Sequence, residues 1–278
     1  MLYNVLKAMR KEMVRRKFSK KTVETYLFCI NQFFKRNSKN PRSVSKKEIQ
    51  EYLGDLAMED KSGSTLNVHL SAIKFLMEEV LRRNINLNIK YSRRPKSIPT
   101  YLTKDETKDL FNVIDNHKHK LMVELMYSTG MRVSEMLNVR VKDFEIAMDY
   151  GWIRRGKGNK DRPFIIADSL KQEIEGYIRE NNLLSDDLLF SRNSFIPLHT
   201  RTVQEIVKKA AKRAGIRKNV HPHTLRHSFA KHLVDNGYTV TDVQKLLGHN
   251  NIQTTMIYTH MDNPRMLNVQ SPFDSLEK

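Results

Sequence analysis

His223 and Arg226 stand three residues apart in His223-Thr224-Leu225-Arg226, and on a helix that spacing projects both side chains from one face. An imidazole beside a guanidinium makes a paired donor site for a phosphate or a carboxylate. Downstream, residues 240–247 have the pattern of a short amphipathic helix that Gly248 stops. His249 then begins a fresh stretch, from which a ring nitrogen can reach the same anion. Tyr258 follows in Thr254-Thr255-Met256-Ile257-Tyr258-Thr259. Its phenol, with an ordinary pKa near ~10, needs help to act as a nucleophile. Three donors and one phenol point to phosphoryl transfer.

Two earlier stretches carry positive charge where such chemistry could use it. A helical pattern ends at Thr129-Gly130, so Arg132 opens a new helix, where free amides and the helix dipole favour an anion. Glu135, one turn on, can orient Arg132 by a charge-assisted hydrogen bond. Gly156-Lys157-Gly158-Asn159-Lys160-Asp161 separates two strand-like runs, 151–155 and 162–166. A lysine at the mouth of such a hairpin, Lys157, can swing toward a groove and give a proton to a leaving oxygen if neighbouring cations lower its pKa. Lys160 and Arg162 are assigned to backbone phosphates. Taken alone, a basic Gly-rich turn binds nucleic acid or simply turns.

Together these motifs resemble those of the tyrosine recombinases, the phage-integrase family. The run from His223 to Tyr258 is similar to the family's C-terminal signature, Ser128 to Glu135 to its first arginine box, and Gly156 to Arg162 to the hairpin of its catalytic lysine. The family's six active-site positions fall on Arg132, Lys157, His223, Arg226, His249 and Tyr258, in the family's order. A short helical N-terminal part and a modest tail make the chain most similar to the Xer type. The resemblance implies that Tyr258 attacks a DNA phosphodiester, giving a 3′-phosphotyrosyl link and a free 5′-hydroxyl. It further implies Lys157 as general acid, with His223 chosen as acceptor of the phenolic proton. Site-specific recombination then runs on a tetramer, with the C-terminal tail reaching the adjacent protomer.

The elements that must position these residues are mostly helical. Residues 2–16 place Leu2, Val5, Leu6, Met9 and Met13 along one side. Ser19, Ser45 and Ser64 are expected to cap three further helices, completing a four-helix bundle. Periodicity fails from Asn84 to Leu102, where two prolines lie among basic residues, with Arg93, Arg94 and Lys96 expected on DNA phosphates. Thr103 with Glu106 reads as a capping box. Helices follow at about 118–128, 169–181 and 200–214, with His117 and His119 in a turn, Arg201 on a basic face suited to a groove, and Pro222 in a first helical turn. The expected fold is mostly α with a small β-hairpin: an N-terminal helical core-binding bundle and a mixed α/β catalytic domain. The expected division is 1–90 for DNA binding, 91–102 for a basic linker, 103–260 for catalysis and 261–278 for a tail that contacts another protomer.

Composition bounds the partners. The 49 lysines and arginines against 31 acidic residues give a net charge of +18, which points to a polyanion. Residues 1–100 hold 22 basic and 9 acidic residues, so the excess lies mainly before the catalytic motifs, where a phosphate grip would sit. With one cysteine, Cys29, no internal disulfide is possible. No apolar run reaches membrane-spanning length, and a cytoplasmic protein is expected. Neither a His-Glu-x-x-His nor a phosphate-cradling Gly-x-x-x-x-Gly-Lys-Ser/Thr is present, so no metal, ATP or other cofactor is expected. Charge on a pentavalent phosphorus must then be met by side chains.

The alternatives are an integrase of a mobile element, a topoisomerase of similar cleavage chemistry, and a regulator that cuts nothing. The last arises because 239–258 also fits a helix-turn-helix. The double-stranded target site is not legible. Absence of an evident arm-binding domain favours a role in chromosome-dimer resolution.

Overall fold

Met9, Met13, Ile30 and Phe33 are withdrawn completely from solvent, as their helical spacing on one face requires. The computed structural model in which they lie describes residues 2–37, 40–83, 88–92, 99–154, 161–193, 196–248 and 271–274. It divides into two units, Met1–Ser97 and Ile98–Lys278.

The first unit packs helices α1 (Leu2–Arg15), α2 (Lys20–Arg36), α3 (Lys46–Met58) and α4 (Gly63–Lys74), the last continued by a π-helical turn, Phe75–Val80. Ser19 caps α2, and Ser45 forms a full capping box with Glu48 on α3. The cap of α4 is Ser62 rather than Ser64. The Ser62 hydroxyl accepts from the Thr65 amide at 3.2 Å, the third amide of the helix, while Ser64 already lies inside the first turn. Phe33 and Tyr52 meet edge to face, and the Tyr52 hydroxyl pairs with Nδ1 of buried His69 at 2.9 Å. Cys29 is buried in this core.

The second unit opens with α5 (Lys104–Asn112), held by the Thr103–Glu106 capping box, and α6 (His117–Thr129). His117 and His119 belong to the first turn of α6, because the Asn116 side chain accepts from the His119 amide and starts the helix there. A short helix α7 (Val133–Met136) leads to an antiparallel sheet of β1 (Phe144–Glu145), β2 (Tyr150–Ile153) and β3 (Arg162–Ile165). The register pairs Tyr150 with Ile165 and Ile153 with Arg162, so the segment expected to carry Lys157 joins the open ends of β2 and β3. Helix α8 (Asp168–Glu180), a small ladder of β4 (Ser191–Asn193) and β5 (Ile196–Pro197), and α9 (Thr200–Arg213), α10 (Pro222–Asp235) and α11 (Val240–Leu247) complete the described elements. Helices α6 and α10 pack together, with Leu121, Leu125, Leu225, Phe229 and Leu233 in one core and all inaccessible to solvent. Segment 271–274 lies on this same unit. Phe273 sets its ring at a tilt against those of Phe111 and Tyr127, and the Asp274 carboxylate accepts from the Ser169 amide at 3.1 Å, satisfying an unpaired donor at the start of α8.

Candidate active site

Arg132 is the N-cap residue of α7. Its amide donates to Glu135 Oε2 at 2.9 Å and its guanidinium to Oε1 at 2.7 Å. Glu135 is therefore fixed by the residue it orients. Gly130, two positions earlier, ends α6 with φ +61°, and a Cβ there would stand 2.5 Å from Leu247 and 2.7 Å from Phe229. Glycine is required for both conformation and space.

Arg226 projects from α10 and is 3% exposed. Nη1 donates to the Gly130 carbonyl at 2.6 Å, and Nη2 to the Leu247 carbonyl at 2.5 Å. One guanidinium thus ties α10 to the chain just before Arg132 and to the end of α11, two residues before His249. Among the described residues these two carbonyls take two of its five N–H donors. Burial, reinforced by the charges of Arg132 and Arg162, pushes the Arg226 pKa down to about 9. The guanidinium stays charged at neutral pH, and its lowered pKa reflects first its burial and then the positive charge of Arg132 and Arg162 beside it. An anion would relieve that charge.

His223 lies one turn before Arg226 and is exposed, where a substrate can reach it. Burial of its inner part, then the neighbouring His221, Arg226 and Arg132, lower its pKa, so its imidazole is neutral and able to accept a proton. Pro222 occupies the first turn of α10, whose capping box is closed by the His221 amide donating to the Thr224 hydroxyl at 3.2 Å.

Arg162 departs from its expected place on a DNA phosphate. It is 9% exposed, with Nη2 donating to Glu135 Oε2 at 2.7 Å and Nη1 to the Leu246 carbonyl at 2.8 Å. Glu135, buried between two guanidiniums, would be pushed up by desolvation, but Arg162 and the amide and guanidinium of Arg132 outweigh that and hold it below the usual carboxylate range. Arg132, Glu135, Arg162, Arg226 and His223 therefore form one group. Arg201 is exposed at the start of α9, outside that group, and its amide donates to the capping His199. Lys157, Lys160, His249, Tyr258, Arg93, Arg94 and Lys96 lie outside the described residues. Among the described residues, no cluster of three His, Cys, Asp or Glu could hold a metal ion, and no helix is long and apolar enough to cross a membrane.

A mostly helical unit with a small antiparallel three-stranded sheet carries these side chains, which is the fold of the tyrosine recombinases, a family of DNA strand-transferring enzymes. The chain belongs to the phage integrase family: the phage integrase family model matches residues 100–265, and the phage integrase N-terminal SAM-like domain matches residues 5–87. Tyrosine recombinase XerA of Pyrococcus horikoshii is 35% identical over 87% of this chain and 83% of its own length. Tyrosine recombinase XerD of Oceanobacillus iheyensis is 33% identical over 91% of this chain and 92% of its own. Among solved structures, XerH bound to a palindromic difH substrate superposes with a TM-score of 0.69 at 25% identity, covering 88% of this chain and 77% of that one. A lambda integrase dimer bound to a core site gives a TM-score of 0.72 over 94% of this chain and 99% of that one at 20% identity, a likeness of fold.

Proposed function

We propose that this Xer-like recombinase cuts and rejoins double-stranded DNA at a specific site through a transient bond between Tyr258 and a 3′-phosphate. The observation that carries this reading is the double anchoring of Arg226 on the Gly130 and Leu247 carbonyls. It draws together the ends of the three stretches whose residues the chemistry needs. In the proposed step the Tyr258 oxygen attacks phosphorus, the bond to the 5′-oxygen breaks, and Lys157 supplies the proton that oxygen requires. The phenolic proton passes to His223, whose lowered pKa leaves its imidazole neutral, with a free ring nitrogen, before the step. Arg132, Arg226, His223 and His249 meet the charge on the pentavalent phosphorus. The phosphodiester energy stays in the covalent link, so neither metal nor ATP takes part. A 5′-hydroxyl of a second duplex reverses the step and exchanges strands.

Residues 1–90 serve as the DNA-gripping domain, 91–102 as a linker whose Arg93, Arg94 and Lys96 touch phosphates, and 103–260 as the catalytic domain. Lys160 and Arg201 add DNA contacts. On DNA, segment 261–278 exchanges the contacts that 271–274 makes with its own unit for contacts with the next protomer of a tetramer, and the biological task is resolution of chromosome dimers. Similarity to recombinases named XerA and XerD supports that assignment.

The test is a pool of nicked duplexes of random sequence, in which the short fragment released by attack diffuses away. Denaturing gels should reveal a covalent protein–DNA adduct, and sequencing of the trapped DNA should return one site. Tyr258→Phe should abolish the adduct. An adduct that persists in that variant, or none with the wild type, would sink the proposal.

A further inference from the structure

Arg162 spans three separate pieces of the site without facing the solvent where DNA would lie. Its two terminal nitrogens hold the Glu135 carboxylate and the Leu246 carbonyl, while Nε has no partner among the described residues. Glu135 is the acceptor that also fixes Arg132. Leu246 precedes the carbonyl of Leu247 that Arg226 holds. The last carbonyls of α11 lack helical partners and carry the negative end of its dipole, so two buried guanidiniums are the complement they need. Gly248 leaves room for this. Its φ is +61°, and a Cβ there would lie 2.8 Å from Arg162 Cδ.

We propose that Arg162 is a positioning residue for strand transfer, which fixes Arg132 through Glu135 and sets the exit of α11 toward His249. This rests on the function proposed above. A planar fork can reach a carboxylate and a carbonyl in two directions at once, whereas a lysine ammonium is a single point of charge. Displacing the end of α11 or rotating Arg132 by a fraction of the reach of a hydrogen bond misaligns groups that must meet one phosphorus, and misplacement of about 1 Å costs roughly a hundredfold in rate.

The experiment uses the full chain and the nicked duplex recovered from the random pool, with Arg162→Met, Arg162→Lys, Glu135→Gln and the Arg162→Met/Glu135→Gln double variant. Circular dichroism sets a temperature at which each is folded, and the rate of adduct formation is read at saturating DNA. Arg162→Met should be slower by roughly a hundredfold and Arg162→Lys by roughly tenfold, and the Arg162→Met/Glu135→Gln double variant should be no slower than the slower of its two single variants. DNA affinity and its slope against salt should stay within twofold of wild type, since a buried arginine releases no counterions; a slope reduced by about one would return Arg162 to a phosphate. If Arg162→Met does not fold, Arg162→Lys decides alone. A folded Lys variant cleaving within twofold of wild type, or rates that merely track thermal stability, would overturn the positioning role. A wild-type chain that forms no adduct would instead overturn the strand-transfer reading itself.

Discussion

Arg226 and Gly130 meet across 96 residues of sequence, the guanidinium donating to the carbonyl at 2.6 Å. The partner is a main-chain oxygen, so the bond depends on the αL turn at Gly130 and not on the side chain found there. A residue that would grip phosphate is therefore also a tie between α6, α10 and α11.

Arg226→Ala removes that tie. The Gly130 and Leu247 carbonyls lose buried donors, each loss costing about 1–3 kcal/mol, and adduct formation should vanish while salt-sensitive DNA binding by the first unit persists. Arg226→Lys keeps the charge but cannot span both carbonyls. It should recover part of the stability and little of the cleavage. Thermal unfolding alongside gel-resolved adduct formation measures both.

Gly130→Ala should be more damaging than its size suggests. The left-handed φ and the contact of 2.5 Å with Leu247 act together, so a loss of about 2–5 kcal/mol is expected from denaturant unfolding of the second unit. A loss below about 1 kcal/mol would mean that Phe229 and Leu247 yield easily and that the turn is not a fixed support of the site.

Much of this architecture is legible in the residues. The stripe of Leu2, Val5, Met9 and Met13, the Thr103–Glu106 box and the Gly248 stop are local signals, and the helices form where they indicate. The buried position of Arg162 is not legible, because it depends on partners 27 and 84 residues away, one of which is a carbonyl that any sequence would supply. Beside Lys160 it reads as one more surface cation. The π-helical turn at Phe75–Val80 likewise has no local signature, since its side chains fit an α-helix equally well.

Stability should fall with acid in a defined window. Burial lowers the pKa of His69, His227 and His232, and His223 follows the same direction. The unfolded chain takes up protons below the ordinary value of 6.5, whereas the folded imidazoles resist them. Stability is then complete above that value and declines as pH falls from it toward the lower folded pKa values. Denaturant midpoints compared at about pH 7.5 and about pH 5.5 should show the decline. His232→Gln, which removes the imidazole bonded to the Tyr127 hydroxyl, should flatten it for the second unit.

Neutralising Arg93, Arg94 and Lys96 together should weaken DNA binding before it affects chemistry. Three lost phosphate contacts reduce the slope of log affinity against log salt by about three. The rate of adduct formation at saturating DNA should be unchanged. A triple variant with an unaltered slope would remove these residues from the interface.

Phe273 and Asp274 give the last prediction, because they join segment 271–274 to its own unit. Phe273 is 4% exposed between Phe111 and Tyr127, and the Asp274 carboxylate accepts from the amide and hydroxyl of Ser169 at the start of α8. Phe273→Ala should cost about 3–5 kcal/mol as a core truncation and Asp274→Ala about 1 kcal/mol as a lost cap. Both should lower the unfolding midpoint of the second unit and leave that of the first unchanged. Contacts made within one chain stabilise it at any dilution, whereas contacts borrowed from a neighbour weaken with it. Off DNA, the midpoint of the wild-type second unit should therefore be constant over a roughly hundredfold range of protein concentration. A midpoint that rises with concentration would assign Phe273 to a neighbouring protomer even in the absence of DNA.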